Sequence, residues 1–193
     1  MIVRPDADSL ASHARAASKR GIPPVESWDP PFCGDLDMHI RRDRTWFYNG
    51  TPIGRPELVR LFSSILRRDG GDYFLVTPVE KVGITVEDAP FVAVDFQVRD
   101  SGEAQVLEFT THVGDTVTAG PDHPIRVQRD PETGEPSPYV HVRARLEALI
   151  DRKSFYRLVD LGVRAPHDGV EWFGLRSGGV FFPLIPAADL PDG

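Results

Sequence analysis

Lysine and cysteine are nearly missing from this chain: Lys19, Lys81 and Lys153 are the only lysines among 193 residues, and Cys33 is the only cysteine. One thiol excludes an intramolecular disulfide and a zinc knuckle, and Cys33 reads either as a small buried hydrophobe or as a redox-sensitive group. No stretch approaches the roughly 18 consecutive apolar residues of a membrane span. The N-terminus carries Asp6, Asp8 and two arginines without an apolar run, so no secretory signal is expected and the expected compartment is the cytoplasm. No Gly-Lys-Ser/Thr phosphate loop occurs. The six histidines, His13, His39, His112, His123, His141 and His167, show no paired metal spacing. Ser177 lacks the glycine two residues upstream that a nucleophile elbow requires. These absences point away from an enzyme and toward no cofactor and no metal. Positive charge is in deficit as well. Twenty-two Lys+Arg against 29 Asp+Glu give −7, which argues against a nucleic-acid polymer as partner yet leaves room for one local basic pocket.

What the chain has is enough apolar residue, 40%, to build cores, and frequent Gly and Pro that keep its elements short. An alanine-rich stretch from Asp8 to Arg20 reads as a surface helix ended by Gly21, followed by a proline-bracketed arm anchored by Trp28. Met38 and Ile40 alternate in a strand, Asp43-Arg44 makes a turn, and Trp46-Phe47-Tyr48 returns as an aromatic strand closed by Asn49-Gly50. Pro56 opens a helix with Leu58, Leu61, Phe62, Ile65 and Leu66 on one face. Arg67 and Arg68 are expected at its C-terminal end, before Gly70-Gly71. Two strands follow, from Tyr73 to Thr77 and from Val79 to Val86, and Asp88-Ala89-Pro90 looks like a boundary. Val92 to Val98 and Leu107 to Val113 then form a strand pair.

From Pro124 the first pattern is expected to return, with strands at 125–128 and 139–142 and a helix opened by Arg143. Leu146, Leu149 and Ile150 are its expected core stripe. Ser154 is expected to cap a second short helix, and a hairpin over 170–184 finishes the chain. The expected fold class is therefore α+β. It comprises two small domains with an internally duplicated strand–strand–helix–strand–strand core, repeated over Asp37–Glu87 and Pro124–Leu184. The expected limits are 1–30 for the helix and arm, 31–88 for the first domain and 89–193 for the second. Leu61, Phe62, Val94, Phe96, Leu146 and Leu149 are the expected core.

In that register Arg55 and Arg143 each stand one residue before a helix. A helix start offers free N–H groups and positive potential, and a guanidinium adds a bidentate charge, which together suit a phosphate or carboxylate. The alternative is that each arginine pairs with a neighbouring acid, Glu57 or Glu147. Glu80 and Lys81 follow Thr77-Pro78 and present a charged pair beside a backbone break, so Thr77, Glu80 and Lys81 join the two arginines as candidate ligand contacts. Asp35, Asp37, Glu80 and His112 are the groups a hydrolase would use if they met in one cleft.

Several runs are specific. Cys33-Gly34-Asp35-Leu36-Asp37, Trp46 to Ile53, Leu75-Val76-Thr77-Pro78-Val79-Glu80-Lys81-Val82, Val86 to Phe91, Pro138-Tyr139-Val140 and Arg143 to Ile150 resemble the bacterial family called domain of unknown function 1285. The likeness runs from about Pro23 to Leu184. It departs at Arg44, where the family is expected to carry glycine in an Asp-Gly turn. The resemblance implies a duplicated core, a second domain loosely pleckstrin-homology-like, and a signalling component with a nucleotide-like ligand between the domains. The partners expected are a small anionic ligand and a protein of the same signalling route, with no membrane. A protein-interaction adaptor without a small ligand is the remaining alternative.

Overall fold

The structure is a computed structural model that describes residues 4–191. It is mixed α+β and divides after Pro90 into two units, each with its own core.

The first unit opens with α1 (Ala7–Ala17), whose N-cap Asp6 accepts hydrogen bonds from the Asp8 and Ser9 amides. The arm that follows is not separate from the body. Pro23, Val25 and Pro30 are buried and Trp28 is half-buried. The body is a six-stranded sheet built from β1 (Phe32–Ile40), β2 (Trp46–Tyr48), β3 (Thr51–Pro52), β4 (Leu66–Asp69), β5 (Asp72–Val76) and β6 (Lys81–Val86). Two antiparallel three-strand meanders, β1-β2-β3 and β4-β5-β6, are joined by a central parallel pair, giving the order β3-β2-β1-β6-β5-β4. Between the meanders lies α2 (Pro56–Ser64), with proline in its first turn. Phe62 stacks on Trp46 at 6.4 Å between centroids, and both are fully buried. The helix ends earlier than its apolar stripe suggests. Ile65, which caps the helix C-terminus, and Leu66, the first residue of β4, are buried, so Arg67 and Arg68 stand in β4, and Gly70-Gly71 turns a hairpin instead of stopping a helix.

The second unit repeats that connectivity. Its sheet holds β7 (Phe91–Arg99), β8 (Val106–Thr111), β9 (Thr116–Thr118), β10 (Ile125–Arg129), β11 (Pro136–Arg143) and β12 (Leu146–Ile150), ordered β10-β11-β12-β7-β8-β9. Again two antiparallel meanders meet at a parallel pair, β12 with β7. Strands β1 to β6 thus correspond in order to β7 to β12. After the sheet come α3 (Arg152–Val159) and a three-stranded sheet of β13 (Val163–His167), β14 (Val170–Ser177) and β15 (Val180–Pro186).

The duplication is therefore present, but the expected repeat unit, Pro124–Leu184 with a helix from Arg143, is corrected. Residues 146–150 are a strand, and α2 has no counterpart between β9 and β10. Leu146, Ala148 and Ile150 are the buried positions, so the true period is two, and Leu149 merely mimicked a helical stripe. Asp151, not Ser154, caps α3, its carboxylate accepting from the Ser154 amide at 2.8 Å. Of the expected core, Phe62, Phe96 and Leu146 are buried, while Leu61, Val94 and Leu149 are half-buried.

Candidate functional site

Thr77 and Glu80 fall on the turn between β5 and β6, and Lys81 opens β6. The Thr77 amide donates to the Glu80 carbonyl at 2.9 Å, and the Thr77 hydroxyl accepts from the Val79 and Glu80 amides. Thr77 is fully buried, so its polar atoms serve the turn. Glu80 holds Nδ1 of His13 on α1 at 2.8 Å. The Lys81 ammonium lies 2.9 Å from Asp69 Oδ2 and 4.1 Å from the centre of the Phe74 ring. The same Asp69 oxygen accepts from Arg67 Nη2 at 2.9 Å, while Arg67 Nη1 donates to the carbonyls of Val25 and Trp28 at 2.9 and 2.8 Å. Partial burial pushes the Asp69 carboxyl up, but hydrogen bonds from Lys81 and Arg67, with their charges, hold it below the ordinary carboxylate value. These groups staple the arm and α1 to the sheet; their charges are already answered.

Arg143 does not open a helix. It ends β11, where Nη1 donates to Asp115 Oδ2 at 2.6 Å and the guanidinium lies 5.0 Å from the centre of the Phe91 ring. The matched pair of arginines at two helix starts is thus overturned, because the second helix is a strand. Asp35 and Asp37 are exposed on β1. The Asp35 carboxylate occupies the room left by Gly83, where an added Cβ would come within 2.1 Å of Oδ1.

Arg55 is different. It is the residue before α2, exposed, and makes no side-chain cap. Its surroundings were not legible in the sequence. Pairing of Phe47 with Pro52, and the Ile53 amide donating to the Trp46 carbonyl at 2.8 Å, carry the chain back toward the β1–β2 turn. That turn holds Arg41, Arg42 and Arg44, so four arginines share one end of this sheet. Arg42 pairs through its guanidinium with Asp88 at 3.5 Å, and its backbone amide donates to Glu87 at 2.8 Å. Arg41 lies over the Phe47 ring at 4.4 Å. Among the described residues, none places a carboxylate within ion-pair distance of Arg41, Arg44 or Arg55. Hydrogen bonds from Thr45, then the charges of Arg41 and Arg44, hold the Asp43 carboxyl below its ordinary value.

Arg44 also carries the departure from the resembled pattern. Its φ is 76°, in the left-handed region that costs a residue with a Cβ about 1 kcal/mol. The turn thus holds an arginine in a backbone conformation that glycine adopts without strain.

Two domain descriptions match the chain: "Domain of unknown function (DUF1285), N-terminal domain" over residues 23–89 and "Protein of unknown function (DUF1285), C-terminal domain" over residues 90–184. The crystal structure of a DUF1285 family protein from Silicibacter pomeroyi DSS-3 is 63% identical, with a TM-score of 0.85, over 93% of this chain and 96% of that one. Another from Shewanella baltica OS155 is 30% identical, with a TM-score of 0.51, over 65% of this chain and 91% of that one. No curated protein matches the chain.

Proposed function

The chain belongs to the DUF1285 family, and from that premise we propose that it is a cytoplasmic signalling component that binds a small anionic, nucleotide-like ligand without transforming it. The observation that carries the reading is the arginine cluster at one end of the first unit's sheet. Arg41, Arg44 and Arg55 are exposed there without ion partners among the described residues, in a chain whose net charge is −7. Arg44 holds a left-handed backbone that glycine would adopt without strain. Strain kept at an exposed arginine fits a side chain retained for what it contacts, not for the fold. Arg41 is pre-oriented by its stacking on Phe47, and Arg55 stands at the positive dipole end of α2. Planar guanidinium forks at one place suit the oxygens of a phosphate chain.

A binding reading is favoured over a hydrolytic one by where the carboxylates are. Glu80 is held by His13, and Asp35 lies over Gly83. The test is a thermal-shift series with inorganic pyrophosphate, nucleoside triphosphates and cyclic nucleotides, followed by calorimetry on any ligand that raises the melting temperature. Arg41→Ala and Arg55→Ala should each weaken binding by about 10- to 100-fold. Arg44→Gly should weaken it similarly while stabilising the protein by about 1 kcal/mol or less. Ligand binding that is undiminished in all three variants sinks this reading.

A further inference from the structure

Helix α1 is thinly attached for its length. Of its 11 residues only Leu10, Ala11 and Ala14 are buried, so one large side chain anchors it by apolar contact. It packs on α2. Its polar ties sit at the rim of that seat. The Ala7 amide lies 3.4 Å from the Tyr48 hydroxyl, and the Ser18 hydroxyl 3.3 Å from that of Ser64 at the end of α2. His13 Nδ1 lies 2.8 Å from Glu80 Oε1; a carboxylate only accepts, so Nδ1 donates. The His13 side chain is 44% exposed, whereas that of Glu80 is 14% exposed. Beyond the helix the chain changes character. Residues 19–22 are exposed, and Gly21 takes φ 104°. Pro23 and Val25 are buried again, with Arg67 holding the Val25 and Trp28 carbonyls. The family's first domain begins at that same place, residue 23. An exposed joint thus separates α1 from a firmly pinned arm.

Eleven residues are too few for a helix to persist alone in water, so α1 stays folded only while seated. We infer that α1 is a displaceable strap, and that its seat on α2 takes a competing occupant: an amphipathic helix of a partner protein, with a cation where His13 stands. Shape and charge define that occupant. Ala11 and Ala14 mark where the seat admits only small side chains, and Leu10 marks its one deep position. Lifting α1 leaves the Glu80 carboxylate without its donor. A guanidinium answers a carboxylate with two parallel bonds, where an imidazole gives one. Val79, next to Glu80, is 56% exposed with α1 in place, so a longer helix gains apolar contact that α1 does not make. Those two gains are what must outweigh the high effective concentration of a tethered strap.

Hydrogen exchange on the wild-type chain tests the strap. Amides of residues 11–17 should exchange at least ~100-fold faster than those of β1 and β6, through an opening that leaves the sheet closed. A fluorescent peptide of residues 4–20 carrying His13→Arg tests the seat. It should bind full-length Leu10→Asp, whose own α1 is unseated, at least ~10-fold more tightly than wild type, where the tethered α1 competes. Glu80→Gln added to Leu10→Asp should weaken the peptide by about 10-fold or more. Ala14→Asp unseats α1 from a shallower position and replaces Leu10→Asp if the β1 and β6 amides of that variant lose protection. Helix amides that exchange only together with the sheet would overturn the strap. A peptide that ignores the unseated proteins, or binds them regardless of Glu80, would overturn the seat and its cationic partner.

Discussion

Arg67 shows how much structure one side chain can carry. It is 7% exposed, and four of its N–H groups are divided between the carbonyls of Val25 and Trp28 and the carboxylate of Asp69. A lysine has the charge but not the planar fork, so it cannot serve both directions. Arg67→Ala should destabilise the protein by about 2–4 kcal/mol, because two carbonyls and a carboxylate lose a buried partner, and Arg67→Lys should recover little of that loss. Urea unfolding measures both; a lysine variant as stable as the wild type would remove the geometric argument. Asp69 adds a pH dependence of known sign. Its carboxyl is held below the ordinary value, so the stabilisation is present above about pH 4 and is lost as pH falls through the lowered value. The stability gap between wild type and Asp69→Asn should therefore shrink on acidification, which urea midpoints between pH 7 and pH 2 will show. A gap that stays constant contradicts it.

Among the elements, legibility followed the number of physical signals that agreed. At α2 the proline in the first turn, the i, i+3, i+4 stripe and the following glycines all spoke for a helix, and the helix is there. At residues 146–150 only the apolar spacing spoke, and Leu146, Leu149 and Ile150 fit a helix as well as Leu146, Ala148 and Ile150 fit a strand. The arginine cluster was half legible. Arg55 stood out by its place before Pro56, but Arg41 and Arg44 join it only through strand pairing that no local pattern encodes. Ser177 was weighed as a nucleophile and has a different task. It is fully buried, donates to the Ala119 carbonyl at 2.7 Å and accepts from the Leu107 amide at 2.8 Å, pinning the β14–β15 hairpin to β8 and the segment after β9. Ser177→Ala leaves that amide and carbonyl unpaired, and should cost about 1–3 kcal/mol in thermal or urea unfolding. Wild-type stability in this variant would show that the hairpin is held by apolar packing alone.

Over the whole molecule, one strand order is used twice. The first strand of each unit lies beside the last in a parallel pair, β1 with β6 and β7 with β12. What distinguishes the units is what was added: α1, the arm and α2 in the first, and α3 with three further strands in the second. The sequence suggests the repeat in the wrong register because the repeat lies in connectivity, whereas the apolar stripes that resemble each other, at Leu58 and at Leu146, belong to different elements.

The parallel pairs set a timetable for a chain emerging from the ribosome. Within each unit the strand made first waits at the centre of the sheet for the strand made last, so half-synthesised units cannot close. Until Lys81–Val86 has emerged, β1 and β5 each present an open edge, and such edges recruit other chains. The arrival of β6, whose Val82 is fully buried in the finished sheet, seals both edges at once.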